Sequence, residues 1–344
     1  MAVFNLRAYD SHEQVVFCRD VDSGLRAIIC IHNTNLGPAV GGCRMWDYNS
    51  DEGALIDALR LSRGMTYKNA MAGLKMGGGK SVIIGNSKTM KSEELFRAFG
   101  RFVDKLSGKY ITAEDVGINP NDMAIVNKET SHVLGLEGKS GDPSPVTAYG
   151  VYKGIKAAAK HKLGRDDLDG LKISVQGLGH VGYYLCEHLK KEGAQLIVTD
   201  INQDNLDRVV NDFGAKEVGI NEIYEQEVDI YAPCALGATV NDNTLKRLNT
   251  KIIAGAANNQ LAEDRHGDIL MQRGILYAPD YVINAGGIIN VNFEENYDQA
   301  KALEKVDEIY GTLTEVFEAS DAEGRPTNVI ADEIARRRVS AAKQ

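Results

Sequence analysis

Residues 172–200, KISVQGLGHVGYYLCEHLKKEGAQLIVTD, decide the fold. KISVQ is a β-type run, GLGHVG a glycine turn, YYLCEHLKKEG a helical stretch, and AQLIVTD a second apolar strand closing on Asp200. Strand, glycine loop, helix and strand in that order form a βαβ unit and call for a parallel sheet. The loop reads G-x-G-x-x-G at Gly177, Gly179 and Gly182. Alone such a match is weak. Here it follows a strand, opens a helix and has an acidic residue ~20 positions on, which is the context a dinucleotide site requires. Gly177 permits the tight turn, Gly179 lets backbone N–H groups reach a pyrophosphate, and Gly182 lets helix and strand pack closely. Leu178, His180 and Val181 complete the loop, and the helix N-terminus offers unpaired donors and a positive dipole end to the phosphates. Asp200 would accept hydrogen bonds from a ribose 2′-hydroxyl and repel a 2′-phosphate, so NAD is expected rather than NADP.

Outward from this unit, the short apolar runs DIYAPC, KIIAGA and LYAPDYVIN are spaced to extend the same sheet. A helix carrying Leu303, Val306, Ile309, Leu313 and Val316 or Phe317 follows, and another covers roughly Asn328 to Ala342, its Arg336-Arg337-Arg338 run reading as a solvated face. Upstream, residues 135–147, GLEGKSGDPSPVT, have the glycine, serine and proline density of a linker, and a helix runs from Val146 to His161. Before the linker, VVFC and LRAIICI read as two strands joined by DVDSG. Asp51 to about Met65 is an amphipathic helix capped by Ser50 or Asp51, and a glycine run then opens a strand, Ser81 to Ile84. A further helix, Ser92 to about Leu106, precedes the strand YITAED.

The 344 residues suggest two domains at ~150 each. With 43% hydrophobic and 25% charged residues the chain is an ordinary globular composition, which excludes disorder and fibrous architecture. A net charge of −9 argues against nucleic-acid and anionic-membrane partners, both of which need a basic field. No apolar run approaches the ~20 residues of a membrane span, and the first residues lack the regions of a signal peptide. Five scattered cysteines without a C-x-x-C suit a reducing cytoplasm, and the seven histidines show no ligand spacing, so no metal is expected.

The first half is marked by Lys68, Lys75, Lys80 and Asp115. Lys80 follows Gly77-Gly78-Gly79, a setting that gives its amine room and exposes backbone N–H groups. Burial and a second nearby cation would both favour a neutral amine able to act as a base. Lys68, just past a helix, is placed to hold a carboxylate, and Asp115 at a strand end to exchange protons with a substrate amine. MGGGKS is not a triphosphate-binding loop, because that pattern needs glycine at position 74, which is Leu74, and a helix where VIIG reads as strand.

Longer stretches carry a resemblance: NTNLGPAVGGCRMW, RGMTYKNAMAGLKMGGGKSVIIG, YITAEDVG, PSPVTAYGV, APCALGATVND, GAANNQLAEDRHGD and YAPDYVINAGGIINV. Together with the glycine loop they resemble the glutamate/leucine/phenylalanine/valine dehydrogenase family, with wording nearest its leucine-acting members. The resemblance implies an α/β protein of two domains separated by a cleft. Residues 1–134 with 328–344 would form the substrate-binding and oligomerisation domain, and 135–327 a Rossmann-type, doubly wound NAD-binding domain. It implies that Lys80 activates the water that attacks an imine, that Lys68 binds the substrate carboxylate, and that Asp115 shuttles protons at the amino nitrogen. Gly41 and Gly42 would line the substrate site, with Val40, Ala113, Ile288 and Val291 as apolar pocket walls. Thr147, Ala235, Asn259 and Asn284 would position the cofactor. The implied reaction is reversible oxidative deamination of leucine, isoleucine and valine to 2-oxo acids and ammonia by a cytoplasmic homo-oligomer, a dimer or octamer. An aromatic amino-acid dehydrogenase and a catalytically silent NAD-binding module are the alternatives.

Overall fold

A computed structural model describes residues 3–136, 141–235, 237–294 and 297–342. Residues 137–140 of the expected linker, and Leu236 in the APCALG stretch, lie outside the described residues. The chain divides into two compact α/β units: Met1–Gly141 with Val291–Tyr297 and Ala335–Gln344, and Asp142–Asn290 with Asp298–Ile334.

The first unit is built on a five-stranded mixed sheet in the order β1-β2-β4-β3-β5. Its strands are β1 (Gln14–Arg19), β2 (Arg26–Asn33), β3 (Ala39–Trp46), β4 (Gly77–Ile84) and β5 (Tyr110–Glu114), and its helices α1 (Asp51–Met71), α2 (Glu93–Asp104) and α3 (Pro120–Val126). β1 and β2 form the expected hairpin, whose turn is held by Asp20 accepting from the Ser23 backbone and hydroxyl and closed by Gly24 at φ +74°. Alternation divides the sheet. Ala27, Ile29, Ala39, Cys43, Ile83 and Tyr110 pack with Phe96, Phe99 and Met123 from α2 and α3, while Ile28, Cys30 and Val82 pack with Ala54, Leu55, Ala58 and Leu59 of α1.

Three expectations are corrected here. The helix from Asp51 does not stop near Met65 but continues to Met71, because no glycine or proline intervenes that must leave the α region before Gly73, at φ +63°. Lys68 therefore lies within its last turn rather than beyond it. The glycine run does not precede a strand; Gly77 to Gly79 are the first residues of β4, paired to β2 and β3. They are glycine because neighbours fill the side-chain space: a Cβ on Gly78 would lie 2.1 Å from the Thr66 backbone nitrogen, and one on Gly79 2.6 Å from the Tyr110 ring. β3 and α3 were not anticipated, since paired glycines break the apolar pattern of one and the other is a single capped turn and a half.

The second unit carries a six-stranded sheet, all parallel, in the order β11-β10-β9-β6-β7-β8. The strands are β6 (Lys172–Gln176), β7 (Gln195–Thr199), β8 (Lys216–Glu217), β9 (Val228–Pro233), β10 (Thr250–Ile253) and β11 (Leu276–Tyr277). In chain order this is 6-5-4-1-2-3, the doubly wound arrangement of dinucleotide-binding sheets, with its switch point between β6 and β9. Its helices are α4 (Ser144–Leu163), α5 (His180–Lys191), α6 (Gln203–Phe213), α7 (Asp242–Leu245), α8 (Arg265–Gln272), α9 (Asp280–Ile283), α10 (Gly286–Asn292) and α11 (Gln299–Glu323). α4 and α11 pack closely because Gly150 and Gly154 leave room for Ile309 and Leu313. LYAPDYVIN is strand only at its first two residues. Beyond Pro279 the chain turns into α9, which Pro279 starts by fixing φ at −56°.

The last helix, α12 (Thr327–Ala341), corrects the reading of one of its three arginines. Arg336 donates to the Tyr67 hydroxyl at 2.9 Å, and Arg338 donates to the Ala70 and Met71 carbonyls at 3.2 and 3.0 Å. Those carbonyls belong to the α1 C-terminus, where the last carbonyls lack the regular i+4 donor, and that of Ala70 also accepts from the Gly73 N–H at 3.2 Å. Arg336 and Arg337 remain exposed, as a solvated face requires, and only the half-buried Arg338 turns in to dock the helix. Among the described residues no helix is long and apolar enough to cross a membrane. The five cysteines are free thiols.

Under α1 lies a buried histidine pair. His12 Nε2 contacts the Leu59 carbonyl and the Ser62 hydroxyl at 3.0 Å each, His32 Nδ1 bonds Thr66 Oγ1 at 2.8 Å, and the ring centroids are 4.7 Å apart. Burial, and then the proximity of His12, push His32 from 6.5 down to about 4; burial also lowers His12, partly offset by the Leu59 carbonyl. The folded protein refuses protons that the unfolded chain binds between pH 6.5 and about 4, so stability is full above that window and falls as the pH drops through it. His32→Gln, which keeps a hydrogen-bonding group that cannot titrate, should flatten the loss of urea stability between pH 7 and 4.5 by on the order of 2–3 kcal/mol. An unchanged slope would show that the pair does not govern it.

Candidate active site

In the first unit, strand alternation puts Val40, Gly42 and Arg44 of β3, Gly78, Lys80 and Val82 of β4, and Ile111 and Ala113 of β5 on the face that carries α1. Lys80 is buried, and its Nζ lies 2.5 Å from Asp115 Oδ2, immediately past β5. The side chains are 7% and 25% exposed, so the pair is roofed on the lysine side and open on the carboxylate side. Arg44 Nε bonds the same Oδ2 at 3.0 Å. Burial alone would raise the Asp115 carboxyl, but the Lys80 ammonium and the Arg44 guanidinium outweigh it and hold it below the ordinary carboxylate value. Sequence reasoning treated Arg44 only as part of the GGCRM wording. The signal that was available is a cation two places beyond Gly42, on the same face of an otherwise apolar strand.

Gly41 and Gly42 owe their identity to the sheet. A Cβ on Gly41 would fall 1.8 Å from the Gly79 carbonyl oxygen, and one on Gly42 2.5 Å from the Glu114 carbonyl oxygen and 2.9 Å from Asp115 Cβ. Tyr110 donates to the Gly41 carbonyl at 2.6 Å and meets Ser81 Oγ at 2.9 Å, fixing β3 against β4 and β5 where their ladder is interrupted. Val40 is buried and Ala113 half-buried. Lys68 follows Met65 by one helical turn, on the side of α1 whose Met65 reaches toward Gly41. Lys75 is exposed in the loop between α1 and β4.

In the second unit the three loop glycines behave differently. Gly177 has φ +95°, and a Cβ there would meet Ala235 at 2.6–2.8 Å; a Cβ on Gly182 would fall 2.0 Å from the Gly177 carbonyl oxygen. A Cβ on Gly179 would meet nothing within 4 Å beyond its own helix and chain neighbours. Gly179 is also the N-cap of α5 and no side chain caps that end. Two glycines are thus required by the protein's own packing, and the third opens a space beside unpaired helical N–H groups, which fits a pyrophosphate. Asp200 lies at the end of β7; its Oδ2 accepts from the Leu178 backbone N–H at 2.5 Å and its Oδ1 from Asn202 at 2.7 Å, so it shapes the glycine loop. His180 is exposed and pairs with Asp142 at 3.1 Å, and Val181 is half-buried. Ile201, 89% exposed directly after Asp200, was not anticipated.

Asn284 is buried, with Nδ2 donating to the Ala256 carbonyl and Asn258 Oδ1, while its own Oδ1 has no partner among the described residues. A buried acceptor without a donor fits a ligand amide. Thr147 Oγ1 donates to the Pro143 carbonyl and packs beside Gly287. Asn259 is exposed at φ +52°, its carbonyl accepting from Ala238, and Ala235 is exposed beside Gly177. Ile288 and Val291 are half-buried one turn apart on α10. Asp242, Glu263 and His266 bring donor atoms within 4.8 Å of one another, but Arg265 already bonds both carboxylates there.

Two family profiles match the chain: "Glu/Leu/Phe/Val dehydrogenase, dimerisation domain" over residues 12–132, and "Glutamate/Leucine/Phenylalanine/Valine dehydrogenase" over residues 198–324. The chain belongs to this family. It is similar to leucine dehydrogenase of Bacillus cereus, with 59% identity over 98% of this chain and 93% of that one. It is also similar to phenylalanine dehydrogenase of Bacillus thermotolerans, 48% identical over 96% and 89%. The solved structure of L-tryptophan dehydrogenase from Nostoc punctiforme superposes with a TM-score of 0.89 at 48% identity, covering 97% of both chains. This family member is an amino-acid dehydrogenase.

The glycines separate fold from ligand. Gly182→Ala should destabilise the protein by about 1–3 kcal/mol in thermal or urea unfolding. Gly179→Ala should leave stability within about 0.5 kcal/mol, since its Cβ meets nothing, yet weaken nucleotide binding at least tenfold by calorimetry. Equal loss of stability in both would count against the ligand reading of Gly179.

Proposed function

We propose that this dehydrogenase deaminates branched-chain aliphatic L-amino acids with NAD. The observation that carries it is the buried Lys80 bonded to Asp115 at 2.5 Å on the same sheet face as Val40 and Ala113. The amino acid, NAD and water become the 2-oxo acid, ammonia, NADH and a proton. When bound, the nicotinamide supplies the acceptor for the substrate's α-hydride.

The chain's own residues do the rest. Lys68 holds the α-carboxylate and so fixes which face of the α-carbon is presented. Asp115 takes a proton from the substrate ammonium, which leaves the nitrogen lone pair able to expel hydride and form the iminium. Lys80 takes a proton from water as that water adds to the iminium carbon, and Asp115 returns its proton to the nitrogen. As the C–N bond breaks and the C=O bond forms, the hydroxyl proton passes to the freed Asp115 carboxylate, and the Lys80–Asp115 hydrogen bond keeps the two acceptors beside the same carbon. On the second unit, the amides at the α5 N-terminus receive the pyrophosphate, Asn284 Oδ1 takes an amide N–H, and Asp200 beside Gly177 favours a free ribose hydroxyl over a phosphate. Thr147, Ala235 and Asn259 complete the nucleotide's surroundings.

The apolar character of Val40, Ala113, Ile288 and Val291 supports an aliphatic side chain. An apolar pocket separates neighbouring aliphatic substrates by only ~1–3 kcal/mol, so leucine, isoleucine and valine are all turned over. Aromatic substrates are the second reading, favoured by the 48% identity with phenylalanine and tryptophan dehydrogenases. The match to a dimerisation domain supports a homo-oligomer.

Absorbance of NADH tests this directly. With a panel of L-amino acids, leucine should give the highest kcat/KM with NAD and far less with NADP. Lys80→Ala should lower kcat by about 100-fold or more, the weight of a general base, with nucleotide binding intact. A clear preference for phenylalanine or tryptophan would overturn the substrate assignment.

A further inference from the structure

Asp115 is held by more than Lys80. Arg44, on β3, reaches it at 3.0 Å through Nε and reaches Asp57 of α1 at 2.9 Å through Nη1; the Tyr48 hydroxyl donates to Asp57 at 2.6 Å. Arg44, Asp57 and Asp115 side chains are each about a quarter exposed. The guanidinium is thus fixed at both ends by carboxylates, and both cations bond the same Asp115 oxygen, Oδ2. No such fork is needed to fold a strand: Arg44 is a charged residue on a face where its neighbours Val40 and Gly42 are apolar.

We propose that Arg44 is a positioning residue for the reaction, fixing the Asp115 carboxylate by one oxygen and keeping a second positive charge beside Lys80. This inference rests on the roles given above to Lys80 and Asp115. With Lys80, the Arg44 guanidinium holds the Asp115 carboxyl below its ordinary value, so the carboxylate releases its proton at a lower pH than it would without that cation. Other groups face the pair from each element around it. Lys80 comes from β4 and Arg44 from β3, with Asp57 of α1 and Tyr48 behind the arginine, and Glu114 precedes Asp115 on β5. Tyr48 is pushed up by burial and by its bond to Asp57, and the buried Cys43 thiol rises to about 12, so both stay neutral and Arg44 is the charge that can be varied. Burial works against the Arg44 charge, but Asp115 and Asp57 outweigh it.

The test compares the parent with Arg44→Met, Arg44→Gln and Arg44→Lys, using leucine and NAD. Both uncharged variants should move the acid limb of kcat/KM upward by about one pH unit, an about tenfold loss on that limb, with a smaller loss at alkaline pH. Arg44→Lys should bring the limb most of the way back while kcat stays low, because an ammonium does not reproduce the fork between two carboxylates. In parallel, the 13C carboxyl signal of Asp115, assigned with Asp115→Asn, should titrate at higher pH in the uncharged variants. Arg44→Gln gives the same reading should Arg44→Met not fold. A parent that reduces no NAD with any amino acid removes the proposed reaction, and the carboxyl titration, which needs no turnover, still judges Arg44. An unmoved limb and an unmoved carboxyl titration, with kcat merely lower at every pH, overturn the proposal.

Discussion

The first unit depends on close approach at β4. Thr66 of α1 occupies the space where Gly78 would carry a side chain, and the Tyr110 ring occupies that of Gly79, so helix and sheet meet backbone to side chain at one spot. Any larger residue there would lift α1 or spread the strands. Two residues on, Lys80 emerges into the space beneath the helix, where water is scarce and an ammonium is tolerable only with a carboxylate beside it. Asp115 supplies that carboxylate, and Gly42 is glycine partly because Asp115 Cβ lies 2.9 Å from its missing side chain. Packing and site are therefore one constraint: the contacts that exclude side chains from β3 and β4 also set where Lys80 and Asp115 meet.

The second unit solves a different problem with the same residue. Gly177 and Gly182 are consumed by the fold, one in a left-handed turn against Ala235 and the other in helix–strand packing. Gly179 answers to nothing in the protein. Asp200, at the end of the neighbouring strand, ties its carboxylate to the loop through the Leu178 N–H, so the acidic residue and the glycine turn hold one another in register before any ligand arrives.

Much of this was legible in the sequence. The βαβ unit, the hairpin at residues 14–33 and the long α11 all announce themselves by period and turn chemistry. Lys80 could be singled out because a lysine behind three glycines is an odd surface residue, and it is indeed buried. What escaped was non-local. The strand character of Gly77 to Gly79 and of Ala39 to Trp46 comes from pairing partners far along the chain, and glycine has no strand propensity of its own to betray it. The engagement of Arg44 with Asp115 and Asp57, and of Arg338 with the α1 carbonyls, depends on tertiary neighbours that no spacing rule reveals. Arg338 read as part of the same solvated face as Arg336 and Arg337 because helical periodicity records which side is charged, not what lies opposite.

That last contact has a consequence for biosynthesis. Ala335–Gln344 belong to the first unit, although they are made after the whole of the second, and Arg338 bonds carbonyls at the end of a helix translated some 270 positions earlier. The first 141 residues therefore leave the ribosome as an unfinished body, the end of their longest helix still without Arg338. Only synthesis past Ile334 brings the residues that close it. Order of synthesis and order of completion are inverted, so a chain halted before Ala335 forfeits the integrity of its first unit, made long before.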